Sequence, residues 1–294
     1  MRRRSTLGVL AAAVLAGCGL VVAVPGVAAA DDLGGVIVAD MNNDGIPDQV
    51  QLGRVGPVPS TTCTVTVRFG LKGGGFGPPQ VHTYTTIDST GMCPDLGVAM
   101  KLGNEKRPDL VTAASFGFRD LIVLHKFQPV AKFTGVEQPN WLRTADLNGD
   151  GRQDLIEWSD QGTDLNTLIN TAQGTLVQGP INVPTMRSGA APGSFGPQYV
   201  LADFNGDGGQ DILISVNFQL SQTQPISAAV FFGNGQASQI LDSTTDFRAV
   251  WTVFSIDLNH DGIPDAGVIE TSGTGTTVVK YYLNDGQGHF TQIT

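Results

Sequence analysis

The chain has 294 residues, 38 of them Gly and 16 Pro, and a formal net charge of −10. That is too turn-rich for a helical bundle, while 41% hydrophobic residues suffice for a packed core and exclude wholesale disorder. The acidic balance excludes ordinary nucleic-acid binding, which needs clustered Lys and Arg to neutralise phosphates.

The N-terminus reads as an export signal. Arg2, Arg3 and Arg4 precede an uncharged apolar run, Leu7–Val27, and Ala28–Ala30 then leads into Asp31 and Asp32. This order predicts a signal peptide over residues 1–30 and a secreted chain. A membrane anchor would also need about 20 apolar residues, but the small residues and Pro25 favour cleavage. A second reading competes with plain secretion. Leu15–Cys18 resembles the signal of bacterial lipoproteins, which would anchor the chain at the cell surface through Cys18. Against it, Gly19–Ala30 stays apolar where such proteins continue with a polar tether. Without residues 1–30 the charge is −13, from 14 basic and 27 acidic side chains. Cys63 and Cys93 then remain, and an even pair in an exported chain is expected to form one disulfide.

A repeat organises the rest of the chain. Four nine-residue segments, Asp40–Asp48, Asp146–Asp154, Asp203–Asp211 and Asp257–Asp265, share the pattern D-x-N-x-D-G-x-x-D. Lys101–Asp109 is a degenerate fifth copy that keeps the final Asp. First positions are spaced by 61, 45, 57 and 54 residues. Short apolar runs precede each loop: Val36–Ala39, Leu96–Met100, Trp141–Ala145, Tyr199–Ala202 and Val253–Ile256. Others follow, such as Leu155–Trp158 and Ile212–Ser215. They are strand-length, rich in β-branched and aromatic residues, and bounded by Gly, Pro, Asn and Asp. Further along each unit comes a glycine turn, clear at Gly73–Phe76 and Asp285–Phe290 and partial at Gln173–Leu176 and Gly233–Gly235. Each unit therefore predicts strand, acidic loop, strand, strand, glycine turn, strand. Four strands per unit of about 50 residues is the plan of a β-propeller blade. The expectation is an all-β fold over 31–294, a propeller of about five four-stranded blades with units starting near 35, 96, 141, 198 and 252.

The acidic loops read as metal sites. Side-chain oxygens at positions 1, 3, 5 and 9, with a main-chain carbonyl at 7, are donors for a hard cation. The candidates are Asp40, Asn42, Asp44, Ile46 and Asp48; Asp146, Asn148, Asp150, Arg152 and Asp154; Asp203, Asn205, Asp207, Gly209 and Asp211; and Asp257, Asn259, Asp261, Ile263 and Asp265. Ca²⁺ accepts six to eight oxygens in flexible geometry, whereas Mg²⁺ demands an octahedron and keeps its water. About four Ca²⁺ ions are expected. No His or Cys cluster suits zinc or copper. An EF-hand is excluded: it needs flanking helices and Glu at position 12, where only Glu157 complies among Gln51, Glu157, Ile214 and Val268. Twelve of the 27 acids lie in these loops, so their mutual repulsion makes the fold depend on a counter-ion.

These loops, with Arg68–Gly70, Phe76–Pro79 and Phe231–Gly235, resemble FG-GAP/VCBS-type repeats, the calcium-binding β-propeller repeats of integrin α-chain heads and many secreted bacterial proteins. The resemblance covers about residues 33–294 and implies calcium at the four matched loops, on one face of the propeller. Two departures stand out: many such propellers have seven blades where five units are counted here, and the second unit lacks the carboxylates. Lys101 there either replaces the ion with a fixed ammonium or is simply solvated.

The opposite face carries the long linkers. Trp141, Tyr199 and Trp251 open successive first strands, and Arg187, Phe247 and Arg248 lie in linkers. Aromatics beside Arg are what a sugar or acidic ligand would meet, and are equally what blade packing needs. His82, His125, His260 and His289 have no nucleophile or carboxylate at a catalytic-motif spacing. The reading is a secreted calcium-binding propeller acting as a non-catalytic binding or adhesion module for carbohydrate or protein, with no nucleic-acid partner. The rivals are a glycosidase or polysaccharide lyase working in the central channel, and a purely structural scaffold.

Overall fold

Twenty strands form five sheets of four in the computed structural model, which describes residues 35–293 apart from 58, 118, 160–163, 184–197, 217–225, 245 and 247–248. Blade 1 is β1 (Ile37–Ala39), β2 (Asp48–Arg54), β3 (Thr62–Arg68) and β4 (Gln80–Thr85). Blade 2 is β5 (Leu96–Met100), β6 (Asp109–Ala113), β7 (Asp120–His125) and β8 (Gln128–Thr134). Blade 3 is β9 (Trp141–Ala145), β10 (Asp154–Ser159), β11 (Asp164–Asn170) and β12 (Leu176–Val183). Blade 4 is β13 (Tyr199–Ala202), β14 (Asp211–Val216), β15 (Ile226–Phe231) and β16 (Gln239–Thr244). Blade 5 is β17 (Val250–Ile256), β18 (Asp265–Thr271), β19 (Thr277–Asn284) and β20 (Phe290–Ile293). In every sheet the strands pair antiparallel in chain order, so the fold is an all-β five-bladed propeller built from local meanders. The signal-like residues 1–30 and Cys18 lie outside the described residues, as do Arg187, Phe247 and Arg248.

The strands are held by what lies between the blades. Because side chains alternate along a strand, a blade in mid-array buries both faces, and its strands read as unbroken apolar runs. β14 shows this: Ile212 and Ile214 join the cluster shared with blade 3, while Leu213 joins the cluster shared with blade 5. Blades 1 and 2 meet through Val50, Val65, Leu110 and Ile122, and blades 2 and 3 through Val111, Val123, Leu142 and Leu155. Each fully buried Val, Leu or Ile contributes about 1.5–3 kcal/mol. Four seams are thus packed. On blade 5, Val250, Ile256 and Val279 remain exposed, and no buried cluster among the described residues joins blade 5 to blade 1.

Polar latches repeat beside these cores. Asn170 Nδ2 of blade 3 donates to the Lys101 carbonyl of blade 2 at 2.7 Å, and Asn284 Nδ2 of blade 5 donates to the Phe204 carbonyl of blade 4 at 2.7 Å. Cys63 and Cys93 are joined by a disulfide, which ties β3 to the segment entering blade 2.

Candidate functional site

The four acidic loops connect the first and second strands of blades 1, 3, 4 and 5 and share one backbone conformation. Position 4 is left-handed at Asn43, Gly149, Gly206 and His260, and position 6 is left-handed at Gly45, Gly151, Gly208 and Gly262. No atom lies within 4 Å of a Cβ built on any of those four position-6 glycines, so their positive φ, not crowding, demands glycine.

The turn brings its oxygens inward onto its own amides. In the first loop the Asp44 N–H donates to Asp40 Oδ1 at 3.0 Å and to Asn42 Oδ1 at 2.9 Å, the Gly45 N–H to Asp40 Oδ2 at 2.7 Å, and the Ile46 N–H to Asp44 Oδ1 at 2.8 Å. The other three loops repeat all four bonds. The donor set is oxygen throughout, from three carboxylates and one amide, and each carboxylate oxygen keeps a second lone pair. That chemistry fits Ca²⁺. Among the described residues no three acidic, His or Cys side chains converge on one point. In the Asp146 loop, Arg152 also places its guanidinium against Asp150.

The ninth residue has a role that the spacing did not disclose. Asp48, Asp154, Asp211 and Asp265 are fully buried. One oxygen of each accepts the position-2 N–H (Met41, Leu147, Phe204, Leu258) at 2.8–2.9 Å. The other accepts an N–H at the end of the third strand (Gly70, Asn170, Gly233, Asn284), again at 2.8–2.9 Å. The carboxylate therefore staples the loop to the far side of its blade. Burial pushes Asp154 and Asp211 up to about 6, with the two amides acting in the opposite direction. The spacing carried no signal that separates this role from that of a ligand.

That second unit is built differently. Asp109 begins β6 and His125 ends β7, one step beyond the paired Leu110 and Leu124. His125 Nδ1 lies 2.9 Å from Asp109 Oδ1, the bond Asp109 makes in place of the two main-chain amides. Lys101 is exposed. A cavity of about 460 Å³ opens beside this pair, between β7, β8 and the Ala172–Gly174 turn of blade 3.

The aromatic first-strand residues are core. Trp141 is 6% exposed and Trp251 1%, because both point into seams between blades. Of the two readings open to them, blade packing and an open sugar face, Trp141 and Trp251 follow the first. Tyr199 is half-buried, stacked on Trp141 at 5.2 Å between centroids, with its hydroxyl accepting from Arg143 Nε at 2.7 Å. Glu157 on β10 is fully buried, accepts from Asn166 Nδ2 at 3.0 Å and from the Val136 N–H, and has no partner for Oε1. Burial pushes its carboxyl up to about 7. The other His–carboxylate pair, His289 with Asp285, is a surface contact at 3.1 Å, and His82 stacks on Phe127. Neither pair holds a nucleophile of the described residues in hydrogen-bond contact.

An FG-GAP-like repeat matches residues 146–214, which span the Asp146 and Asp203 loops. Among solved structures the chain is similar to an Agrocybe aegerita lectin, described as recognising non-reducing terminal N-acetylglucosamine. That match has 19% identity and a TM-score of 0.51, and covers 90% of this chain and 67% of the lectin. It bears on the fold alone. The biofilm matrix protein Bap1 of V. cholerae also matches, at 10% identity and a TM-score of 0.32 over 90% of this chain and 61% of its own, too weak a likeness to carry an argument. No curated protein sequence matches the chain.

Proposed function

We propose that this protein is a secreted, calcium-stabilised propeller that binds extracellular carbohydrate without catalysis. The observation that carries the reading is the fivefold reuse of one four-stranded blade, with its polar chemistry concentrated in loops and seams among the described residues. Likeness in fold to a lectin supports carbohydrate over protein as the ligand. Export is supported by the signal-like N-terminus and the Cys63–Cys93 disulfide.

Calcium would be held by the carboxylates and Asn at positions 1, 3, 5 and 9 of the four complete loops and the carbonyls of Ile46, Arg152, Gly209 and Ile263. Bound there, it supplies positive charge that offsets the repulsion among three Asp per loop. The loop amides pre-position those oxygens, so the side chains pay less ordering entropy when a cation arrives. The test is a glycan array and a thermal melt, each with and without chelator. Retention of defined glycans in calcium and a lower melting temperature in chelator are expected. Turnover of a polysaccharide with no retained glycan would replace this reading by that of a channel enzyme. An unchanged melt in excess chelator would refute the stabilising ions.

A further inference from the structure

In four blades the buried Asp at position 9 accepts a main-chain amide on each of its two oxygens. Blade 2 departs from this. Among the described residues Asp109 bonds only His125, and both side chains line the cavity of about 460 Å³ between blades 2 and 3. Glu105 and Gln173 add polar groups to its wall, and Val130, Ala131 and Phe133 form an apolar side. At its floor two main chains meet closely: a Cβ at Gly103 would lie 2.7 Å from the Gly174 nitrogen.

We propose that this cavity is a binding pocket for a neutral pyranose unit. The proposal rests on the carbohydrate-binding reading above and gives it a location. A sugar ring presents hydroxyls on its edge and C–H groups on its face. The edge matches carboxylate oxygens, each with lone pairs to accept from vicinal hydroxyls, in charge-assisted bonds stronger than neutral ones. In the tautomer whose Nδ1–H donates to Asp109, His125 Nε2 is a further acceptor. The C–H face matches Val130, Ala131 and Phe133, whose apolar surface gains from being covered. Exposure of Val130 at 59% shows how much of that wall is open to a ligand. The volume lies within the roughly 300–1,000 Å³ of small-molecule pockets, at the end suited to one or two rings. Glu105 and Asp109 give the pocket negative charge, which repels uronate and sulfated sugars and selects neutral ones. Loss of the ion-binding pattern in this unit fits the same assignment, because the loop between Lys101 and Asp109 carries a ligand-facing wall where the others carry a cation turn.

The experiment is calorimetric titration, in calcium, of the whole protein with methyl glycosides of glucose, galactose, mannose and N-acetylglucosamine, and with methyl glucuronide as the charged control. Glu105→Ala and Val130→Glu are compared with the wild type. Both positions are exposed, so both variants fold, which a thermal melt checks. A neutral glycoside should bind the wild type, bind each variant about tenfold more weakly as one charge-assisted hydrogen bond or one occluded wall requires, and outcompete the glucuronide. Equal binding by wild type and both variants would overturn the pocket and leave the carbohydrate-binding function standing. Preference for the glucuronide would overturn the ligand class. Wild type that binds none of the glycosides but retains larger glycans on an array would overturn the pyranose pocket alone. Wild type that retains no glycan at all would overturn both the pocket and the function.

Discussion

Blade 2 and the four blades around it have the same sheet and different chemistry. β5–β8 form a four-stranded antiparallel meander like the rest, yet their first loop has Lys101 and Gly103 where the others have Asp and Asn. The blade geometry therefore comes from the apolar seams, and the acidic loop is an addition to it. The hairpin between the third and fourth strands differs as well. The other units use glycine there, whereas β7 and β8 are joined by Lys126 and Phe127, both left-handed at φ 49° and 64°. Two positive-φ residues in a two-residue loop suit the right-handed twist of a hairpin. Phe127 is held there by its ring contact with His82 of blade 1, 4.6 Å between centroids. A tertiary contact thus does for this turn what glycine does for the others.

The largest expected effect separates the two kinds of unit. Asp211→Ala leaves the buried amides of Phe204 and Gly233 unsatisfied and should cost about 4 kcal/mol, at ~1–3 kcal/mol for each orphaned group. Asp109→Ala frees only a half-exposed imidazole and should cost clearly less. Denaturant titration of the two variants reads the difference; equal losses would mean that the staple is not what distinguishes the units.

Next comes the disulfide between blades 1 and 2. Its reduction opens a crosslink spanning 30 residues and should lower stability by about 3 kcal/mol. A melt with and without reductant measures it, and no change would show that the Val50–Leu110 seam holds the two blades unaided.

Glu157, packed under Gly135 at the junction of blades 2 and 3, should make stability fall as pH rises. Its folded pKa of about 7 lies above the ordinary 4.5, so the native state binds more protons than the unfolded state between these values. The stabilising contribution is complete below about pH 4.5 and lost through about pH 7, a difference of up to about 3 kcal/mol. Glu157→Gln keeps the Asn166 contact and removes the titration. Stability profiles of wild type and variant that remain parallel from pH 4 to 8 would show that Glu157 stays ionised.

The smallest effects concern the loop cations. Lys101→Ala should change stability by less than about 0.5 kcal/mol, as for other exposed charges without partners. On the proposal that the Asp146 loop holds calcium, Arg152→Ala should strengthen that binding several-fold, because the guanidinium competes there for Asp150. Calcium titration of that variant against wild type checks the sign, and weaker binding would show that Arg152 supports the loop.

Much of this was legible in the residues. Repeated Asp, Asn and Gly at fixed spacing located four turns, and apolar runs on either side located most of the strands, because period and turn chemistry are local properties. The Cys63–Cys93 pair was readable from the count of cysteines and the signal-like N-terminal sequence. The aromatic first-strand residues had two readings, blade packing and a ligand face, between which spacing could not choose, since Trp141 and Trp251 serve a seam whose two walls come from different blades. Nor was the His125–Asp109 pair seen from spacing, although a β6–β7 register with Leu110 opposite Leu124 brings the two together.

What the sequence by itself determined is therefore a unit: four strands, an acidic turn with glycine at position 6, and a pattern whose decay in the second copy is visible by inspection. The tertiary structure decided what the shared final Asp does, which aromatics are buried, and what stands in the place of the missing loop. The physical reason is range. A left-handed turn and a period-2 strand depend on neighbours in the chain, whereas a buried carboxylate is defined by amides about 20 residues away, and a pocket by two blades that meet only when the array has formed.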